Sequence, residues 1–180
     1  MNLNKLQLNL DNLSEQELDS LYLDLLPYAE LTLSQWKPHP KQLQFHNSTK
    51  KGRLIIGGNR LGKSEVGTVE SVFHATGKYP DWYPKENRLQ GPTIGRIVVS
   101  DFGKGFASVL KPKLDKWLPQ SLIREVRKNH EGFAEKYFLT NGSMFDICTH
   151  QQEQDVFEGW SGHWAWFDEP PPRYAYVGTI

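Results

Sequence analysis

Residues Gly57-Gly58-Asn59-Arg60-Leu61-Gly62-Lys63-Ser64 satisfy the pattern G-x-x-x-x-G-K-[ST] at every fixed position. The glycines let the backbone bend so that successive N–H groups face inward around a phosphate chain. The same pattern places Lys63 to reach the β- and γ-phosphates of a nucleotide and the Ser64 hydroxyl to ligate Mg²⁺. Its flanks agree. Arg53-Leu54-Ile55-Ile56 is a short apolar run that predicts a buried strand over 53–57, and the composition of 63–75 predicts a helix. A helix N-terminus at that point offers partial positive charge to an anion. A chain of this length meets the pattern by chance at roughly half a percent. The plain alternative, a glycine-rich turn with an exposed lysine, leaves the flanking strand and helix without a purpose. The stretch is read as a nucleotide-binding loop.

The whole chain sets the bounds. Its 180 residues suffice for one domain with a sizeable core, or one domain and an appendage. No apolar run approaches the ~20 residues that span a bilayer, and the polar N-terminus is not of secretory type. Cys148 is the one cysteine, so a disulfide framework is excluded and a reducing cytoplasm is expected. The six histidines have no metal-ligand spacing. Net charge is zero but unevenly spread: Asp11, Glu15, Glu17, Asp19, Asp24 and Glu30 stand against Lys5 within residues 1–35. The remainder is mildly basic, which permits contact with a polyanion without demonstrating it.

Ser14-Glu15-Gln16-Glu17 has the form of a capping box, and Leu18, Leu21, Tyr22, Leu25 and Leu26 follow at helical spacing up to Pro27. A proline-bearing link, residues 36–40, separates this helical segment (1–36) from a second unit (37–180). There, strand-like and helix-like segments alternate: strands over 53–57 and 96–100, and a helix over 106–118 interrupted or started by Pro112. A hairpin follows about Asn141-Gly142-Ser143, and a last apolar strand runs over 163–167. Such alternation predicts an α/β fold, a mainly parallel sheet flanked by helices and carrying an antiparallel hairpin.

That last strand runs into Asp168-Glu169. A strand beside the loop's own strand would bring Asp168 to the phosphates as the Mg²⁺-side acid, with Glu169 as the general base that activates a water. A water-activating glutamate points to hydrolysis rather than transfer to a small-molecule hydroxyl. Asp101, after its own apolar run, competes for the metal side but lacks an adjacent glutamate. Upstream, Gln42 and Phe45 allow two readings: an amide matching the N6/N7 edge of adenine with a ring beside it, or an ordinary amphipathic helix.

Together these pieces resemble the ATPase domain of the large terminase subunit, the DNA-packaging motor of tailed bacteriophages. The resemblance runs from about Pro38 to Pro172, anchored on P-K-Q-L-Q-F-H (40–46), G-G-N-R-L-G-K-S-E-V-G (57–67) and F-E-G-W-S-G-H-W-A-W-F-D-E-P (157–170). It implies a P-loop NTPase fold of the ASCE type that binds ATP and Mg²⁺. By that resemblance Gln42 reads adenine, residues 57–64 hold the phosphates, and Lys63 and Arg60 assist at the γ-phosphate. Ser64 and Asp168 serve the metal, and Glu169 is the catalytic carboxylate. Arg60 is equally compatible with a surface role, and a trans-acting arginine from a ring neighbour is a further option. The implied partners are double-stranded DNA, the portal protein, the small terminase subunit and other copies in a ring. The implied place is the host bacterial cytoplasm, transiently at the procapsid portal, with no membrane.

The chain stops about a dozen residues after Glu169, before the coupling motif and nuclease that large terminases carry. It is therefore expected to be an N-terminal portion, apparently truncated at its C-terminal end, with nuclease activity confined to a longer protein. Two rival readings stand beside a packaging ATPase: a helicase-like P-loop ATPase, and a catalytically incomplete nucleotide-binding module with an assembly role. Lys111, Lys113, Lys116 and Trp117 read either as a DNA-facing patch or as a solvated helix face with one buried tryptophan.

Overall fold

Ile94–Val99 (β1) forms the axis of the sheet. Its β-branched Ile97, Val98 and Val99 suit a pleated surface and are buried because a strand lies along each side. Met144–Thr149 (β4) and Trp164–Phe167 (β5) both run parallel to β1, in registers that align Val99 with Thr149 and Val98 with Phe167. Ile123–Lys128 (β2) and Ala134–Leu139 (β3) extend the sheet antiparallel beyond β4, giving the order β2-β3-β4-β1-β5. The computed structural model describes residues 13–21 and 33–180.

The fold is thus mixed α/β, but less parallel than expected: two strand pairings are parallel and two antiparallel. The extra antiparallel strand is β2. Its exposed Arg124, Glu125, Arg127 and Lys128 lack the apolar alternation that marks a half-buried strand, so the sequence conceals it. The hairpin between β3 and β4 forms where Asn141-Gly142-Ser143 predicts it, with Gly142 at φ 87°. The Asn141 side chain also donates to the carbonyls of Ala75 and Thr76, satisfying the end of a helix from across the sheet.

That helix, Lys63–Thr76, is preceded by Pro40–His46; in chain order they are α2 and α1. After the first turn α2 is buried on every side, as befits a helix lying on the sheet under other elements. Its contact with β5 is close: a Cβ on Gly67 would lie 2.2 Å from the Trp166 indole, so only glycine lets the two surfaces meet. The helix expected over 106–118 starts earlier. Phe102–Leu110 is π-helical, and Lys111–Trp117 (α3) continues it, with Pro112 just after the change from π to α geometry. Arg173–Thr179 is α4. A buried Arg96–Asp146 pair at 2.8–3.0 Å ties β1 to β4, and Arg96 also donates to the Val156 carbonyl.

One expectation fails. Residues 53–57 form no strand, and Leu54 and Ile56 are 82% and 87% exposed. Among the described residues the outer edge of β5 carries no further strand, and 53–57 does not pair with it, so Leu54 and Ile56 have no sheet to pack on. Only Ile55 packs toward the core.

At the N-terminus the capping box is present, with the Ser14 N–H donating to Glu17 Oε2 at 2.9 Å and the chain helical over 15–21. The rest of the expected apolar stripe, Tyr22, Leu25 and Leu26, lies outside the described residues. Leu33 and Trp36 are buried in the main core.

Candidate nucleotide site

The loop 57–62 leads straight into α2. Arg60 takes the left-handed conformation (φ 63°), as does Gly62 (φ 75°), and these reversals carry the chain around the turn. Among the described residues no acceptor engages the backbone N–H groups of 58–61. The Lys63 ammonium folds back over the loop and donates to the carbonyls of Gly57 (2.9 Å) and Gly58 (2.8 Å). Gly57, Gly58, Asn59, Arg60 and Leu61 are exposed, and Arg60 makes no ion pair with a described residue. Uncommitted N–H groups at a helix N-terminus, a lysine already bent toward oxygen and the Ser64 hydroxyl form a donor set that fits a nucleotide phosphate with Mg²⁺.

Gln42 lies against this loop. It is buried, its Nε2 donates to the Gly62 carbonyl at 3.2 Å, and its Oε1 accepts the His39 N–H at 3.1 Å. His39 in turn reaches the Leu61 carbonyl at 3.4 Å. Each polar end of Gln42 thereby makes one bond within the protein, to the N-cap of α1 and to the loop.

The acidic side is set by α2 lying antiparallel on β5. Gly67 meets Trp166, and His74 further along α2 meets Trp164 at a ring separation of 6.3 Å. Continuing the other way, Ser64 is one turn before Gly67 and Asp168 is two residues past Trp166, so both emerge at the C-terminal edge of the parallel strands. Asp168 is half-buried, with its N–H donating to the Val98 carbonyl at 3.0 Å, and Glu169 is exposed. Asp101 shares this edge but is committed elsewhere. Its carboxylate accepts the Lys104 N–H at 2.6 Å, capping the π-helical stretch, and that bond holds it below the ordinary carboxylate range.

The chain is 28% identical to the large terminase subunit of Salmonella phage P22 over 93% of its own length. Its homologues are phage large terminase subunits. A stretch of 38 residues is 50% identical to the large terminase subunits of Thermus phage G20c and Thermus virus P23-45, covering 21% of this chain and 8% of each relative. The chain spans 41% of the length of the Salmonella phage relative. No family model matches, and no solved structure matches with significance. No helix among the described residues is long and apolar enough to cross a membrane.

Other residues of the site escape sequence reasoning. His150 ends β4 at the same edge; burial of its ring pushes its pKa down while the Glu169 carboxylate opposes that shift. Its Nε2 is buried with no partner among the described residues. Glu65, next to Ser64, accepts from both Lys116 (2.8 Å) and Trp117 (2.6 Å). Burial alone would raise its pKa, but these two donors outweigh it and hold the carboxyl low. Lys111 pairs with Asp115 and Lys113 donates to the Val109 carbonyl, so all three lysines have protein partners. No local pattern announces such pairings, because each joins residues far apart in sequence or lies within an ordinary helix.

Proposed function

We propose that this chain is the ATP-binding and hydrolysing module of a viral DNA-packaging motor, the ATPase portion of a large terminase subunit with a P-loop NTPase fold. The observation that carries the reading is the loop 57–62 entering α2, whose contact on Trp166 brings Ser64 and Asp168 to one edge of the sheet. The names of the relatives supply the biological setting.

In this reading the N–H groups of 58–62 and the Lys63 ammonium bind the phosphates, and Ser64 and Asp168 hold Mg²⁺. Bound Mg²⁺ neutralises charge on the phosphate oxygens. Glu169, exposed beside Asp168, takes a proton from the attacking water. Arg60, exposed in the loop, offers positive charge to the γ-phosphate. Gln42 and His39 hold the loop from the α1 side. Double-stranded DNA, a portal protein, a small terminase subunit and other copies in a ring are the partners of the assembled motor, which works in the host cytoplasm.

Mg-ATP binding is the direct test. Lys63→Ala is expected to weaken it at least about a hundredfold, since the phosphates lose their cation; unchanged affinity would remove the site assignment. Glu169→Gln is expected to keep affinity while turnover stops.

The unpaired stretch 53–57 favours a second reading of these 180 residues in isolation, that of a module that binds nucleotide without turning it over. ATP affinity without hydrolysis in this chain, and hydrolysis in a longer form, would select it.

A further inference from the structure

Behind the loop lies a buried polar cluster that the proposed chemistry does not use. Its centre is Glu70 on α2, two turns after Lys63. One carboxylate oxygen is 2.6 Å from His46 Nδ1. The other accepts from the Tyr83 hydroxyl at 2.6 Å, lies 2.5 Å from the Arg53 guanidinium and 3.4 Å from His74 Nε2. The proton on His46 can be placed. Trp36 Nε1 can only donate, and it points at His46 Nε2 at 3.1 Å, so Nε2 is the acceptor and the ring proton sits on Nδ1, facing Glu70.

Glu70 and two of its partners, Arg53 and His46, stand on the three segments that border the loop. Arg53 stands four residues before Gly57, on the approach. Glu70 belongs to the helix that leaves. His46 stands one helical turn after Gln42, whose amide holds the Gly62 carbonyl. Arg53 also donates to the Phe45 carbonyl at 3.3 Å and lies over the Phe45 ring at 4.7 Å, tying approach and α1 to each other. The approach has no sheet partner, so the Arg53 contacts are its polar anchor.

We propose that Glu70 is the positioning residue of the nucleotide site, fixing the loop's approach, its exit helix and the Gln42-bearing helix in one arrangement. The inference rests on the reading of 57–64 as a phosphate loop. Without this carboxylate, His46, Tyr83, Arg53 and His74 lose their shared partner, the approach is released, and the loop enters α2 from a range of directions. A loop that must be ordered by the ligand binds it more weakly.

The test uses the whole chain, with Mg-ATP as the probe, at a temperature well below every unfolding midpoint. Glu70→Gln keeps the side-chain shape and removes the charge. It is expected to weaken Mg-ATP binding about tenfold and to speed amide hydrogen exchange at 58–62 selectively. Ile147→Ala, a core truncation on β4, serves as the control: its midpoint falls while affinity and loop exchange stay as in the wild type. Arg53→Lys keeps the charge but not the fork of donors, and is expected to cost about threefold; it decides the matter should Glu70→Gln not fold. Wild-type affinity and wild-type loop exchange in a folded Glu70→Gln, or in Arg53→Lys, would overturn the proposal and leave the phosphate-loop reading intact. Failure of the wild type itself to bind Mg-ATP would overturn both.

Discussion

Arg53-Leu-Ile-Ile and Arg96-Ile-Val-Val are nearly the same tetrapeptide, and the fold treats them in opposite ways. Each arginine is tied to a buried carboxylate, Glu70 or Asp146, and each lies over an aromatic ring, Phe45 or Trp160. The aliphatic residues that follow diverge. Ile97, Val98 and Val99 are fully buried between two parallel strands, whereas Leu54 and Ile56 face solvent. An apolar run is thus only half of a strand; the other half is a neighbour whose backbone groups satisfy its own. The arginine–carboxylate anchor is local and survives without that neighbour, whereas burial of the aliphatics does not.

Variants can break this comparison or sharpen it. The largest losses belong to the shared element. Asp146→Asn strands a buried arginine and Glu70→Gln a partly buried one, and each is expected to cost about 3–5 kcal/mol of stability in denaturant titrations. Equal costs would show that the anchor works alike in a paired and an unpaired segment. For Glu70 the dependence on pH adds a signature. Burial would raise its pKa, but bonds from His46 and His74 and the Arg53 charge hold it below its ordinary 4.5. A depressed carboxylate contributes fully above its unfolded value and loses the contribution as pH falls through the folded one. The gap between wild type and Glu70→Gln should therefore stay constant down to about pH 4.5 and close only below it, with His46, His74 and Tyr83 the titratable groups facing it.

Next in size is Ile97→Ala, expected to cost about 3 kcal/mol by opening a cavity in the core. Gly67→Ala follows at about 2 kcal/mol, because its methyl group meets the Trp166 ring and must push α2 from β5. The smallest effect belongs to Ile56→Ala, expected within about 0.5 kcal/mol. A loss there as large as at Ile97 would mean that 53–57 is a buried strand after all.

Much of this was legible in advance. The loop 57–64, the strands β1, β4 and β5, the Asn141–Ser143 turn and the Ser14–Glu17 cap are each written in neighbouring residues, which is where local physics acts. The Asp168-Glu169 pair was legible because it ends an apolar strand. What stayed hidden depends on company. The exposure of Leu54 and Ile56 goes with the failure of 53–57 to pair with the free edge of β5. The charged strand β2 exists because β3 offers it an edge. The Glu70 cluster joins Trp36, His46, Arg53 and Tyr83 across nearly fifty residues, each an unremarked polar or aromatic residue in its own segment. The Gln42 contacts, too, follow from where α1 is seated rather than from its composition.

The stretch 53–58, outside every helix and strand, also has a consequence for handling the protein. Endoproteases cut exposed chain outside helices and strands, and here exposed aliphatic residues stand with no sheet partner. Limited digestion should therefore nick the chain here before it touches β1 or α2. Such a cut would separate Arg53, still held on Glu70, from the glycines that follow it. The nicked protein would stay folded while its loop swung on α2 alone, and bound Mg-ATP should slow the nick by ordering that loop.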